Sequence, residues 1–187
     1  MANRADVADL APWVLLIYRI PSEPSKNRVA VWREVKKLGA AYLQNGVCLL
    51  PAGPENESAF AQLAERITGQ GGEAVLFRAV AGGPDQEQAL IAEFHRLRNQ
   101  EYAEVCEQAG HFLAEVERET QAGKFTFGEM EEIEEDLEKL TRWMEKVTAR
   151  DRFGAPGRVE AEARLAQCRE AYEEFARRVY AAESGER

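Results

Sequence analysis

The sequence of 187 residues has few of the side chains that build metal sites and disulfide frameworks. Its three cysteines are far apart with no CxxC pair, and neither of its two histidines lies in a known metal motif. These residues are Cys48, Cys106, Cys168, His95 and His111. The pattern argues against a disulfide framework and a zinc site. We therefore expect reduced, mostly buried thiols and no cofactor.

Long apolar runs are also missing. No window approaches the ~18 to 20 uninterrupted apolar residues that a membrane helix requires. The opening residues MANRADVADLAP contain acids and lack the apolar segment of a signal peptide. The sequence therefore predicts a cytoplasmic protein without a membrane partner.

Recognisable catalytic motifs are absent as well. The chain has no G-x-S-x-G elbow, P-loop, HExxH motif or Rossmann fingerprint. The acidic run GEMEEIEEDLEK lacks the Glu-x-x-His pairs that a carboxylate di-metal centre takes from several helices. Its acids are more simply explained as a solvated helix face, in which Glu135 pairs with Lys139. We expect a protein that is not an enzyme.

Charge is plentiful but unevenly distributed. The net charge is -9, which disfavours nucleic-acid binding by the chain as a whole. Residues 1–82 carry nine basic and eight acidic side chains, whereas residues 83–187 carry 15 and 25. The change occurs near AGGPD, and it predicts two domains, 1–82 and 83–187.

The first domain is predicted to be α+β. Strands are expected at 13–19, 41–44, 47–50 and 73–80, and helices at about 26–38 and 55–70. Ser25 and Gly39 are predicted to cap the first helix, and Asn45-Gly46 to form a type I′ hairpin turn. The order βαββαβ is that of a ferredoxin-like fold, which hosts many functions and names none.

The second domain is predicted to be a three-helix antiparallel bundle. Three series of apolar residues repeat in steps of three and four. They are Tyr102, Val105, Ala109, Phe112 and Val116; Met130, Ile133, Leu137, Leu140, Met144 and Val147; and Ala161, Leu165, Cys168, Tyr172, Phe175 and Val179. Thr126 is the expected N-cap of the middle helix, with Glu129 as its capping-box partner.

A basic stripe is predicted on the first helix. Lys26, Arg33 and Lys37 lie at spacings of seven and four, opposite the apolar side, and Arg28 lies near the helix start. These four residues are the candidate nucleic-acid contacts, because exposed cations bind phosphates. The alternative is a solvated helix face beside an acidic neighbour.

A second group of cations occupies the loop RDRFGAPGR. Arg150, Arg152 and Arg158 are the candidate anion-binding residues. Phe153 either pins this loop onto the protein or stacks on a base beside phosphate-binding arginines. Both roles of Phe153 remain open from the sequence.

Long segments of the chain resemble the N-terminal region of the ChrB family, bacterial proteins associated with chromate resistance. The resemblance lies in WVLLIYRIPSEPSKNRVAVWREVKKLGAAYLQNGVCLLP and continues through AGKFTFGEMEEIEEDLEKLTRWMEKVTARDRFGAPGR to CREAYEEFARRVY. It implies a chromate-responsive transcriptional regulator of an operon that carries an efflux pump. Members of that family usually have a further C-terminal chromate-resistance region, which these 187 residues do not include.

The first domain is also similar to the small ferredoxin-like domain of phenylacetate-operon repressors and of CRISPR spacer-acquisition nucleases. Those proteins commonly pair through the sheet, which implies a homodimer. The nucleases hold metal with a carboxylate at the end of the first strand, and residues 13–19 contain none. Nuclease chemistry is therefore not implied.

Three hypotheses follow from the sequence and the resemblance. The leading one is a regulator that contacts DNA or a partner protein through its basic surfaces. The second is direct binding of chromate or another oxyanion by the arginine loop. The third is an adaptor whose acidic helical bundle docks a basic partner.

Overall fold

The computed structural model describes residues 10–185, which form four strands and five helices. The strands are β1 (Trp13–Arg19), β2 (Ala41–Gln44), β3 (Val47–Pro51) and β4 (Glu73–Ala79). The helices are α1 (Ser25–Leu38), α2 (Pro54–Gly69), α3 (Pro84–Ala122), α4 (Phe127–Arg150) and α5 (Gly157–Glu183). None of these helices has the length and apolarity needed to cross a membrane. The α+β class is confirmed.

The chain divides into two compact units, and the division falls between Leu97 and Arg98, inside α3. The sequence predicts its domain boundary earlier, at residues 82 and 83, where α3 is about to begin. The predicted limits rest on composition, whereas the two units reflect packing. A single helix therefore contributes residues to both units.

The first unit contains one sheet of four strands in the order β2-β3-β1-β4, with all neighbours antiparallel. The apolar strand β1 is central, as its composition predicts. Leu16 pairs with Cys48 of β3 on one side and with Leu76 of β4 on the other. The predicted strand and helix limits in this unit agree with the structure to within one residue.

The core of the first unit contains side chains from its strands and from one face of each of the helices α1 and α2. In β1, Val14 and Leu16 are buried, whereas Leu15 and Ile17 are more exposed. Trp13 at the start of the strand is also buried. Helix α2 packs on β1 and β4 and also contacts α1. The helices contribute fully buried side chains at helical spacing, namely Val31, Val35, Phe60, Leu63 and Ile67. Burial of this apolar surface is the main force that holds α1 in place.

The predicted cap at Ser25 is wrong. Ser25 is the first residue of α1, Pro24 occupies the N-cap position, and no side chain caps the helix there. The Asn27 amide instead donates to the Pro24 carbonyl at 3.0 Å, so a backbone turn begins the helix. The predicted C-cap is confirmed, since Gly39 has a left-handed φ of 75°.

The predicted type I′ turn is also wrong. That turn needs positive φ at both central residues, but Gly46 has a φ of 76° and Asn45 does not have a positive φ. The register of β2 against β3 shifts between Tyr42 and Gln44, which makes Leu43 an extra residue in β2. The hairpin is present, but its turn geometry follows from this irregular pairing.

The second unit is helical. Helices α4 and α5 pack on each other, and buried residues of α3, α4 and α5 belong to one hydrophobic cluster. The cluster contains the predicted apolar series from Tyr102 to Val179 as buried or partly buried residues. Thr126 caps α4 as predicted, because its hydroxyl accepts from the Glu129 amide at 3.3 Å.

The three cysteines are free thiols, as expected. Cys48 in the first unit and Cys168 in the second are buried, and Cys106 is half-buried. Burial raises the pKa of Cys48 to about 12 and that of Cys168 to about 11. Both buried thiols therefore remain protonated at neutral pH.

Candidate nucleic-acid interface

The candidate interface is the exposed face of α1. Val31 and Val35 fix the orientation of this helix, because both are fully buried. The four predicted contact residues are all exposed: Lys26, Arg28, Arg33 and Lys37. We call these four residues the α1 cations.

The α1 cations differ in their partners. The Lys37 ammonium lies 3.9 Å from Glu34 Oε1. The other carboxylate oxygen of Glu34, Oε2, lies 3.7 Å from a guanidinium nitrogen of Arg66 on α2. Within residues 10–185, no ion pair involves Lys26, Arg28 or Arg33. Among the described residues, the α1 cations therefore form an ion pair only near the C-terminal end of the helix.

The local field of α1 also favours an anion at its start. No acidic residue occupies its first turn, where unpaired backbone amides give a partial positive charge. Its last turn carries Lys36 and Lys37, whose charges complement the partial negative charge of that end. Positive charge is therefore present along the whole exposed face.

An exposed aromatic side chain lies beside this basic face. Trp32 is 49% exposed, and the Lys36 ammonium lies 5.0 Å from the centroid of its ring. The sequence places Trp32 at the edge of the apolar side of α1, which agrees with its partial exposure. A large exposed aromatic beside cations is a group on which a base can stack.

The predicted anion-binding arginines are placed differently. Arg150 is largely buried and donates to Glu101 at 3.0 Å, and the Arg158 Nε donates to Glu162 at 2.7 Å. Arg152 is exposed and has no ion pair within the part of the chain that the structure describes. Two of the three guanidinium groups are thus already bound to carboxylates.

A polar network that the sequence did not reveal surrounds this loop. The Arg98 side chain is only 5% exposed, and its Nη1 lies 3.0 Å from Glu101 Oε2. The Tyr102 hydroxyl donates to Asp151 at 3.0 Å. Burial lowers the pKa of Arg98, and the charge of Glu101 opposes that effect. Glu101 therefore lies between two largely buried guanidinium groups.

The same network fixes the backbone of the loop. The Ala155 amide donates to Asp151 at 2.9 Å, and the Gly157 amide donates to the Asn99 side chain at 2.8 Å. Phe153 is half-buried in this loop. The i, i+3 spacing of Arg98 and Glu101 could have indicated a surface pair, but nothing local shows that the pair is buried.

No group of three or more histidine, cysteine or acidic side chains that could hold a metal occurs within residues 10–185. The glutamates of α4 instead form local ion pairs, including the predicted pair of Glu135 with Lys139 at 3.6 Å. The acidic side chains of residues 10–185 therefore do not converge on a common point, and the exposed α1 cations are the kind of groups that suit an anion.

Comparison with known proteins identifies the family. The family model described as "Protein ChrB, N-terminal" matches residues 28–186. Protein ChrB of Cupriavidus metallidurans is 34% identical over 92 residues, which cover 49% of this chain and 28% of that relative. No solved structure matches the chain. Because the family model spans most of its residues, the chain belongs to the ChrB family.

Proposed function

We propose that this chain is a regulatory protein associated with chromate resistance, and that it contacts DNA through the α1 cations. The proposal rests on one observation above all. Lys26, Arg28 and Arg33 are exposed on one helix and have no ion pair within the described residues. Membership in the ChrB family supports the regulatory role.

The physical basis of this contact is the release of counterions. Each phosphate that a lysine or arginine neutralises lowers the slope of log K against log salt by about 0.9 for duplex DNA. Lys26, Arg28 and Arg33 need not first break an ion pair within the described residues. Lys37 must give up its long contact with Glu34, so its contribution is smaller.

Binding of a labelled duplex from upstream of the gene tests the proposal. We expect binding at ~50 mM salt that weakens steeply as salt is added. Absence of binding at that salt concentration, or binding that does not respond to salt, would contradict it. Replacement of Arg177 by Ala on α5 is a suitable control, since Arg177 is exposed but paired with Glu174.

Further features of the protein belong to this proposal. The strand order β2-β3-β1-β4, with a helix after β1 and another after β3, supports a ferredoxin-like arrangement. The shared cluster of α3, α4 and α5 supports a three-helix antiparallel bundle. We infer a cytoplasmic regulator without catalytic activity or cofactor.

A homodimer is also part of the proposal. On one face of the sheet, Ile17, Val75 and Phe77 are 40%, 53% and 52% exposed. Ile17 pairs with Val75 in the sheet, and the next pair on the same face is Arg19 with Glu73, joined at 2.9 Å. A two-fold dimer through this face would bury the same apolar residues of both copies against each other.

Light scattering tests the homodimer. The change Phe77→Lys should convert a dimer to a monomer, because it places a charge in the apolar contact. Val159→Lys on α5 is the matched control, since Val159 is also an exposed apolar residue. A monomeric wild-type chain at high concentration would contradict this part of the proposal.

Oxyanion binding is the second candidate, and Arg152 favours it. This guanidinium is exposed, and no carboxylate within residues 10–185 forms an ion pair with it. Calorimetric titration with chromate and with sulfate should then give heat that Arg152→Ala removes. Heat that persists in that variant would exclude the loop as the site.

An adaptor role for the acidic helices would instead appear as cross-linking to a basic protein.

A further inference from the structure

A pocket beside α1 combines aromatic rings with an arginine. It is lined by Tyr18 of β1, Tyr42 of β2, Arg28 and Trp32 of α1, and the hairpin turn Asn45-Gly46. Its volume is about 640 Å³, within the usual range for small-molecule sites. Only Arg28 among these side chains is one of the α1 cations.

The hairpin turn is fixed against the end of β1. The Tyr18 amide donates to the Gly46 carbonyl at 2.7 Å. A Cβ atom at position 46 would collide with the Tyr18 carbonyl oxygen, and the positive φ of Gly46 independently disfavours other residues. Glycine at this position allows the turn to approach β1 closely, and so shapes one wall of the pocket.

The two tyrosines form a hydrogen-bonded pair in this pocket. Their hydroxyl oxygens are 2.8 Å apart, and burial raises the pKa of both groups. Both hydroxyls are therefore neutral at physiological pH. One O–H donates within the pair, so the other O–H can donate to a bound ligand.

Arg28 and Trp32 supply charge and a flat surface. Arg28 is exposed and forms no ion pair with any residue from 10 to 185. Trp32 is half-exposed, and Lys36 adds a second positive charge near its ring. An indole suits stacking of a planar ring, and a guanidinium suits bidentate contact with a phosphate.

From this combination, we propose that the pocket binds a single nucleotide, with its base stacked on Trp32, its phosphate at Arg28, and the tyrosine pair donating one hydrogen bond. The nucleotide has two possible sources. One is a free mononucleotide, and the other is an unpaired nucleotide within a DNA strand. The chemistry of the site is the same for both, and it does not depend on duplex binding by the other α1 cations.

Calorimetric titration of the full chain with 5′-AMP tests the free form, and titration with a short single-stranded oligo(dA) tests the strand. Adenosine and inorganic phosphate serve as fragment probes. We expect at least one of the two nucleotide probes to bind about tenfold more tightly than either fragment. Trp32→Ala and Arg28→Ala should each weaken that binding by about tenfold.

Each control substitution removes an aromatic or a charged side chain that does not line the pocket. Tyr180→Ala removes another exposed aromatic residue, and Arg66→Ala removes a cation of the neighbouring helix α2. Both should leave nucleotide affinity within about twofold. The double change Tyr18→Phe with Tyr42→Phe should weaken binding by several-fold while the apolar lining is preserved.

Two results would overturn the proposal. One is no heat with either 5′-AMP or oligo(dA) at millimolar concentration. The other is equal affinity in the wild type, Trp32→Ala and Arg28→Ala. Duplex binding that depends on Lys26 and Arg33 would survive both results, since neither residue lines the pocket. Failure of this inference is therefore distinguishable from failure of the proposed function.

Discussion

The α1 cations and the arginines of the 150–158 loop look alike in sequence but differ in their surroundings. Three of the α1 cations are exposed without an ion pair in the described chain, whereas two of the three loop arginines are bound to carboxylates. A local count of basic residues therefore does not define an anion-binding surface. The carboxylates that lie within reach of each cation decide which charges are available.

The difference has a physical cause in the two units. Helix α1 offers Lys26, Arg33 and Lys37 on the side opposite its buried valines. Within the described residues, only Glu34 forms an ion pair with one of these three, Lys37. Arg150 lies at the end of α4, beside Glu101 and the buried Arg98 of α3. Buried charges need partners, and the Glu101 carboxylate compensates the charges of Arg98 and Arg150.

The largest effect on stability is expected when Glu101 is changed to Gln. This substitution removes the charge that both Arg98 and Arg150 contact, and it leaves two largely buried cations uncompensated. We expect a loss of about 3 kcal/mol in the free energy of unfolding, measured by urea denaturation.

Glu162→Gln is the matched control for this change. Glu162 pairs with Arg158 at 2.7 Å, but both side chains are about half-exposed. The expected loss is clearly smaller than that of Glu101→Gln, because solvent screens an exposed pair. Equal losses in the two variants would show that burial does not distinguish the loop network from a surface pair.

The second effect concerns binding. Replacing both Lys26 and Arg33 with Ala should weaken duplex DNA binding by at least about tenfold at low salt. The free energy of unfolding should change by less than about 0.5 kcal/mol, because both side chains are exposed and without ion pairs in residues 10–185. Anisotropy and urea denaturation measure the two quantities. If the free energy of unfolding fell by as much as the free energy of DNA binding, the lysine and arginine would be structural residues like the arginines of the loop.

The buried thiol of the first unit gives a pH-dependent effect. The pKa of Cys48 rises from 9.0 to about 12 on burial, so the folded chain keeps a proton that the unfolded chain loses above pH 9. Its contribution to stability is therefore complete below pH 9 and declines between pH 9 and 12. At pH 10 we expect a loss of about 1 kcal/mol from this group.

Cys48→Ala checks the source of that decline. The variant should show a shallower fall of the unfolding free energy between pH 9 and 10, whatever its stability at pH 7. Cys106→Ala is a useful comparison, since Cys106 is only half-buried. A fall that is unchanged in Cys48→Ala would assign the effect to other groups.

The smallest effect on stability is expected when Arg152 is changed to Ala. This residue has no ion pair in the described chain, so Arg152→Ala should change the free energy of unfolding by less than about 0.5 kcal/mol. Arg150→Ala should cost clearly more, because it removes a partner of Glu101. Thermal unfolding of the two variants makes the comparison. Equal stability would mean that the loop does not depend on its buried arginine.

Much of this architecture could be predicted because the relevant patterns are local. The near-continuous apolar run of β1, the apolar spacing along α4 and the residues around Thr126 identify elements without reference to the rest of the chain. The type I′ prediction was wrong because Leu43, two residues before Asn45-Gly46, is an extra residue in the pairing of β2 with β3. The residues of the turn itself do not reveal that irregularity.

The candidate site was predictable only in part. The exposure of Lys26, Arg33 and Lys37 followed from helical spacing. The partner of Arg150 did not, because Glu101 lies 49 residues earlier in the chain. Arg158 differs, since Glu162 follows it by four residues on the same helix, a spacing that is visible in the sequence. The pocket was also missed, as it joins Tyr18, Trp32 and Tyr42 from three elements.

The salt dependence of duplex DNA binding tests the central claim most directly. The slope of log K against log salt should become shallower by about 2 to 3 when Lys26, Arg28 and Arg33 are all changed to Ala. It should be unchanged in the double variant Arg152→Ala with Arg158→Ala. A slope that stays constant in the α1 variant and falls in the loop variant would contradict the claim that α1 provides the phosphate contacts.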